Sequence, residues 1–499
     1  MTIRRGMSLD RLLAGFAQVP AIAAVPVTGM TLDSRQVHEG DLFCALVGEH
    51  SHGLDHAMQA VDRGAAAVIF EPAPQLTAPA LSVPTIPVPD LNSHLSTIAA
   101  RLFGDPSAAM PIIGVTGTNG KSSCVHLLAQ TLSVGDQACG MLGTLGYGFL
   151  NALQPATHTT PDAITVQAQL ARLRAAGARW VAMEVSSHGL VQRRVEAVRF
   201  HLALFTNLSR DHLDYHQDLD AYFAAKQRLF TWPGLAAAIV NGDDARAEAL
   251  LRAAVPASRK VRYGLQPQSV QNVDDVLWAQ EVVPQPDGLE ISVTGSWGEA
   301  HFRTPLIGVF NAANVLAVLA VLLVAGVPLR TAAERLSRVH PVPGRMARHG
   351  GHGKPTVVVD YAHSPDALDK ALQACRQHTA GELWCVFGCG GDRDRGKRPQ
   401  MGRIAAQLAD HLVLTDDNPR TEAPAAIIAD IRAGLQGNVD YTIIHDRAGA
   451  IAYAITHARP GDVVLVAGKG HEDYQIVGGQ RLPFSDTGQV VMHLQEYSA

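Results

Sequence analysis

The chain has few cysteines, no basic excess and no apolar run long enough to cross a membrane. Its six cysteines, at positions 44, 124, 139, 375, 385 and 389, lack paired zinc-type spacing. Cys385 and Cys389 come closest, and no matching pair stands elsewhere. This argues against a disulfide framework or a zinc ribbon and predicts free thiols in a reducing compartment. The net charge of −5 gives no electrostatic footprint for nucleic acid. An anionic ligand must therefore be met by local arginine and lysine. The longest apolar run, residues 315–325, is too short for a bilayer and predicts a core helix.

At the amino end, Arg4 and Arg5 precede apolar residues 12–24 in the manner of an export signal. Asp10, Arg11 and Gln18 break that character. Leu9, Leu12, Leu13 and Phe16 follow helical spacing after Ser8, a candidate cap. The expectation is an amphipathic surface helix, in a cytoplasmic monomer without membrane insertion.

What the chain does contain centres on Pro111-Ile-Ile-Gly-Val-Thr-Gly-Thr-Asn-Gly-Lys-Ser122. Ile112, Ile113 and Val115 read as a buried strand, while Val125, Leu128 and Leu132 follow at helical spacing. Strand, glycine loop, Lys-Ser and helix form a phosphate cradle, in which backbone N–H groups and the helix N-terminus face the anion. Lys121 would reach the terminal phosphates of ATP, and the Ser122 hydroxyl would sit on Mg²⁺. The strict pattern wants glycine at position 115, which is valine; the glycines stand at 114 and 117 instead.

A length of 499 residues predicts about three domains. Residues 1–92 read as a small α/β domain bordered by a proline-rich stretch at 71–89. Its Thr31-Leu-Asp-Ser-Arg35 cluster is either a binding loop or a surface turn. Residues 93–340 read as a central ATPase-type domain with a parallel sheet. Strand-like runs at 180–183, 202–205 and 236–240 each end in polar residues, and ligands gather at such strand ends. Residues 262–304 alternate as a β-rich insertion. Beyond a linker at 340–345, residues 341–499 repeat the strand–helix grammar as a Rossmann-like domain without its own phosphate loop. That domain is expected to act as a lid carrying the second substrate.

Asn207-Leu-Ser-Arg-Asp-His-Leu-Asp-Tyr-His216 places two Asp and two His behind a strand end. His212 with Glu184 could hold Mg²⁺, or the stretch is a solvated loop with a helix-capping Asp. Lys226 lies in a helix expected to start near Asp220, where composition alone reads a surface lysine.

Together these motifs resemble the Mur ligase family, the ATP-dependent amino-acid-adding enzymes of peptidoglycan synthesis. The resemblance rests on the phosphate loop, Thr159-Thr-Pro161, Met183-Glu-Val-Ser-Ser-His-Gly189, Asn207 with Asp211-His212, and Lys226. Asn311 with Asn314, Gly344-Arg345 and Asp360-Tyr-Ala-His363 extend it through the third domain. Asp392-Arg-Asp394, Asp417-Asn-Pro-Arg420 and Gly468-Lys-Gly-His-Glu472 narrow it to the members that add the third residue of the stem peptide.

The resemblance implies particular roles. Gly117, Thr118, Asn119, Gly120, Lys121, Ser122, Ser123, Asn311, Arg345 and Asp360 would contact ATP. Leu32, Ser34 and Glu49-His50-Ser51 would hold the uridine nucleotide. That triplet departs from the more usual His-Gln-Ala. Thr159, Thr160, Ser186, Gln192 and Arg194 would hold the muramoyl-dipeptide. Arg393, Asp417, Asn418, Pro419, Arg420, Gly468 and Glu472 would hold diaminopimelate. Lys121, Glu184, His212 and Lys226 would be catalytic, with Ser122, Glu184, His212 and a carbamylated Lys226 as Mg²⁺ ligands. The implied substrates are ATP, meso-diaminopimelate and UDP-N-acetylmuramoyl-L-alanyl-D-glutamate. The implied chemistry is an acyl phosphate attacked by an amine under a closed third domain. Folylpolyglutamate synthetase shares such an ATPase core, and a nucleotide-gated binding protein is the non-enzymatic rival.

Overall fold

The computed structural model describes residues 6–48, 51–74, 76–135, 138–435 and 440–497. Contacts group residues 1–262 and 270–274 into one compact unit, and residues 263–269 and 275–499 into another.

The first unit carries a small parallel sheet in the order Gly29–Thr31, Asp41–Ala45, Ala67–Phe70, Thr85–Pro87. The helix Leu91–Leu102 packs Leu91, Leu95 and Ile98 into the same core as Leu42 and Ile69. The expected border at residue 92 therefore falls inside a helix. The proline-rich stretch that suggested it contains the edge strand Thr85–Pro87, where proline is tolerated. The α-helix near the amino end is the single turn Leu9–Leu12, and the side chain of Ser8 makes no capping bond. Leu9, Leu12 and Leu13 are fully buried in this core while Asp10 and Arg11 are exposed, the amphipathic pattern expected, over a shorter helix than the spacing suggests. Each such leucine contributes roughly 1.5–3 kcal/mol.

The same unit holds the larger parallel sheet. Ile112–Thr116 lies between Ala178–Glu184 and Phe200–Phe205; Ala138–Gly143 and Ala237–Asn241 lie outside these two. The strands are β-rich in buried aliphatic residues on both faces, as a helix-covered parallel sheet demands. Register aligns their carboxyl ends, with Val115 opposite Glu184 and Thr116 opposite Phe205. The polar residues that follow each strand thus emerge side by side.

The second unit contains the antiparallel strands Asp275–Gln285, Gly288–Gly295 and Gly298–Thr304, as the alternation of that region predicts. The apolar run at 315–325 lies mostly within the buried helix Val309–Val324. A six-stranded sheet follows in the order Ala347–Gly350, Thr356–Asp360, Val463–Ala467, Leu383–Phe387, His411–Leu414, Tyr441–Ile443. It is parallel except for its first strand. No helix among the described residues is long and apolar enough to cross a membrane. All six cysteines are free and buried, and burial raises the thiol pKa of each.

Candidate active site

Strand Ile112–Thr116 runs into a glycine loop and then the helix Lys121–Leu132, with Gly120 in the left-handed region at its cap. Val115 is a fully buried strand residue, so the glycine that the strict motif wants there has no task. The close approach occurs at Gly117, where a Cβ would stand 1.9 Å from Thr206 Oγ1. The end of the neighbouring strand braces the loop. Thr118 N–H donates to the Asn207 carbonyl at 2.8 Å, and Asn119 N–H to Asn207 Oδ1 at 3.0 Å. Thr206 Oγ1 donates to the Asn119 carbonyl at 2.6 Å.

Two lysines converge on this loop. Lys121 Nζ donates to the carbonyls of Gly117 (3.0 Å) and Thr118 (2.8 Å). Lys226 Nζ donates to the Gly117 carbonyl at 2.7 Å and lies 4.3 Å from the centroid of the Tyr222 ring. Lys226 is 1% exposed, not the surface lysine that composition suggests. Burial and the neighbouring Lys121 charge drive its pKa well below the ordinary value, with Asp211 opposing. Its helix, Leu219–Gln227, starts beside Asp220 as expected and is capped by Asp218, whose Oδ1 accepts from Ala221 N–H at 2.7 Å.

At the next strand end, the Ser122 hydroxyl donates to Glu184 Oε2 at 3.0 Å, and Ser123 is buried beside it. Thr144 N–H donates to Glu184 Oε1 at 2.7 Å, and the Thr144 hydroxyl donates to Thr159 Oγ1 at 3.0 Å. Thr160 donates to the Glu184 carbonyl at 2.9 Å and receives Ser186 N–H at 2.9 Å. Arg194 spans Thr160 O (2.6 Å) and Gln192 Oε1 (2.9 Å). Thr159, Thr160, Ser186, Gln192 and Arg194 therefore form one connected cluster beside the phosphate loop.

His212 has a left-handed backbone and a half-exposed ring, 5.0 Å from that of His188 and 6.0 Å from that of Tyr222. No group of three or more His, Cys, Asp or Glu residues among those described could hold a metal. A hydroxyl–carboxylate pair at a phosphate loop instead fits a hard cation that keeps most of its water and few protein ligands. Farther along the unit, Ser34 is engaged with Gln59 Oε1 at 2.6 Å, and Leu32 packs against the core of the small sheet. Thr31, Asp33 and Arg35 bond to one another in a turn. Ser51 pairs its carbonyl with Gly48 N–H, whereas Glu49 and His50 lie outside the described residues.

In the second unit, Asn311 Nδ2 donates to the Ile307 carbonyl at 2.8 Å, and its Oδ1 accepts from Asn314 at 3.0 Å. The Arg345 guanidinium lies 4.7 Å from the Tyr361 ring centroid, and its buried Nε has no partner. Asp360 accepts Met346 N–H at 2.7 Å; burial raises its pKa against the pull of Arg345.

The carboxyl ends of the six-stranded sheet gather the rest. Asn418 Nδ2 donates to Glu472 Oε2 at 3.0 Å. Arg420, also left-handed, donates through NH1 to the Gly391 carbonyl at 2.7 Å, so one arm of its fork is committed to backbone. Pro419 precedes it. Gly468, at φ +123°, leaves room for Asp417 Oδ2, which a Cβ would meet at 2.5 Å. Arg393 lies in the adjoining 388–394 segment and bonds the Asp392 carbonyl at 3.0 Å.

Sequence reading missed Thr144, Tyr222, Lys469 and Arg447. Thr144 follows a strand end, the signal that identified its neighbours. The others are fixed by partners distant in sequence.

Comparison with known proteins agrees with this arrangement along nearly the whole chain. Residues 26–102 match the model described as Mur ligase family, catalytic domain; 115–322 the Mur ligase middle domain; and 344–470 the Mur ligase, glutamate ligase domain. A UDP-N-acetylmuramoyl-L-alanyl-D-glutamate–2,6-diaminopimelate ligase from Alkalilimnicola ehrlichii is 52% identical, covering 98% of this chain and 99% of its own. The chain belongs to the Mur ligase family. Another relative of the same name, from Pseudomonas aeruginosa, is 50% identical over 92% of this chain and 93% of its own. Among solved structures, a ligase of that name superposes with a TM-score of 0.72 at 34% identity, covering 99% of this chain and all of its own. A MurF ligase from Thermotoga maritima in complex with ADP shares the fold, with a TM-score of 0.63 at 17% identity over 94% and 97% of the two chains.

Proposed function

We propose that this chain is an ATP-dependent ligase that joins meso-diaminopimelate to the D-glutamate of UDP-N-acetylmuramoyl-L-alanyl-D-glutamate in peptidoglycan synthesis. The proposal includes the three-domain division at 1–92, 93–340 and 341–499, and a cytoplasmic monomer. The observation that carries the chemistry is the convergence of Lys121 and Lys226 on the Gly117 carbonyl. Nearby, Ser122 and Glu184 share a hydrogen bond.

The side-chain carboxylate of D-Glu attacks the γ-phosphorus of ATP and ADP leaves. Lys121, held on the loop carbonyls, offsets the charge that develops on the phosphoryl oxygens. An amine of diaminopimelate then attacks the acyl carbon, phosphate departs and the amine loses a proton, leaving an amide. The Thr159–Arg194 cluster positions the dipeptide. Arg420, Asn418 and Glu472 position the incoming amino acid. Ser122, Glu184, His212 and a carbamylated Lys226 would hold Mg²⁺, which supplies charge neutralisation at the phosphates when bound.

Lys226 is suited to carbamylation because its depressed pKa favours the neutral amine. That amine forms an N–C bond to CO₂ and releases a proton, turning a buried neutral amine into an anion. The test is phosphate release with each substrate omitted in turn. Release that requires all three supports the function, whereas release independent of diaminopimelate overturns it.

A further inference from the structure

Lys469 has no part in the roles assigned above, yet its side chain is fully buried inside the amino-acid site. Its Nζ donates to Glu472 Oε2 at 2.9 Å and to Asn418 Oδ1 at 3.1 Å. Asn418 Nδ2 donates to the same Glu472 oxygen at 3.0 Å, closing a triangle. Ile476 N–H adds a second donor to Asn418 Oδ1 at 2.9 Å.

The triangle has two consequences. Flipping the Asn418 amide would point its NH₂ at two donors and its oxygen at a carboxylate, so its orientation is fixed. Among the described residues, Glu472 Oε2 already has two donors, while Oε1 has only the Tyr474 hydroxyl at 3.4 Å. Oε1 therefore keeps the lone pairs available to an ammonium, and the spare N–H of Asn418 remains available to a carboxylate.

We propose that Lys469 is a positioning residue for the amino-acid substrate, orienting Asn418 and turning Glu472 Oε1 towards the substrate ammonium. This rests on the diaminopimelate reading above. A buried ion pair alone is weak evidence for stability, which makes a role in substrate geometry the more informative hypothesis.

The test is steady-state kinetics of Lys469→Gln and Lys469→Met with each of the three substrates varied. Loss of a charge-assisted bond predicts a KM for diaminopimelate raised about tenfold or more. Lys469→Met should exceed Lys469→Gln, which keeps one donor. KM for ATP and for the UDP-linked dipeptide should stay within about twofold, because neither is held by this triangle. In a Glu472→Gln background, Lys469→Gln should cost less than in the unmutated enzyme, because only its hold on Asn418 remains to be lost. If Lys469→Met does not fold, Lys469→Gln carries the measurement; if neither folds, the residue is structural and the inference fails. Equal rises in all three KM values, or an unchanged value for diaminopimelate, overturn it while leaving the functional reading intact. An unmutated enzyme that ignores diaminopimelate overturns both.

Discussion

Lys226 Nζ lies 2.7 Å from the carbonyl oxygen of Gly117, and the same carbonyl accepts from Lys121 Nζ at 3.0 Å. Two cationic side chains thus share one acceptor at the centre of the phosphate loop, one of them almost wholly buried. The repulsion is relieved if Lys226 is neutral or converted to an anion.

A pH dependence follows. The native pKa of Lys226 lies well below the ordinary 10.5, so between those values the unfolded chain holds a proton that the native chain does not. Stability therefore rises with pH across that interval in CO₂-free buffer. Lys226→Met should flatten the Tm–pH curve there while lowering kcat by roughly 10²-fold or more. Parallel curves with retained turnover would contradict the assignment.

Ser122 and Glu184 should behave as a unit. Ser122→Ala removes the hydroxyl that faces the carboxylate and should lower kcat on the order of 10²-fold, with little change in Tm. A mutant with near-normal kcat would remove Ser122 from the reaction.

The amino-acid site should discriminate by charge. Lysine lacks the second carboxylate of diaminopimelate and would leave the Arg420 guanidinium without its partner. One arm of Arg420 already bonds Gly391, so the substrate carboxylate must engage its remaining N–H groups. A site built around a required polar group rejects the analogue by roughly 10⁴-fold. Competition between the two amino acids measures the ratio, and comparable kcat/KM values would defeat the prediction. Arg420→Ala should lose most of kcat/KM for diaminopimelate.

Much of this was legible in the sequence. The strand–glycine–lysine–helix order needs only local pattern, and polar strand endings locate Glu184, Asn207 and Asp417 because a parallel sheet brings its carboxyl ends together. The burial of Lys226 was not legible, since Tyr222 covers it and Gly117, more than 100 residues earlier, accepts its hydrogen bond. The helix Leu91–Leu102 across the expected border at 92 was not legible, because the proline-bearing stretch before it, with its edge strand Thr85–Pro87, looks like a linker. The triangle of Lys469 depends on Asn418, 51 residues away, and no periodicity encodes that pairing.

A support of the same kind lies beside the proposed amino-acid site, next to Asp416 and Ala467. Arg447 and Asp486 are fully buried and paired through two bonds, at 2.7 and 2.8 Å, while Arg447 also donates to the Ala467 carbonyl at 3.0 Å. Asp486→Asn leaves a buried guanidinium without its counter-charge and should cost about 3–5 kcal/mol. Thermal melting checks it, and an unchanged Tm would show that solvent reaches the pair.

The central claim is that the D-Glu carboxylate is phosphorylated before the amide forms. With ¹⁸O in both oxygens of that carboxylate, one label must pass to inorganic phosphate as the acyl phosphate breaks down. The other must remain in the amide to diaminopimelate. Mass analysis of the released phosphate reads this directly. One ¹⁸O per phosphate is the predicted result, and unlabelled phosphate accompanying amide formation would contradict the mechanism.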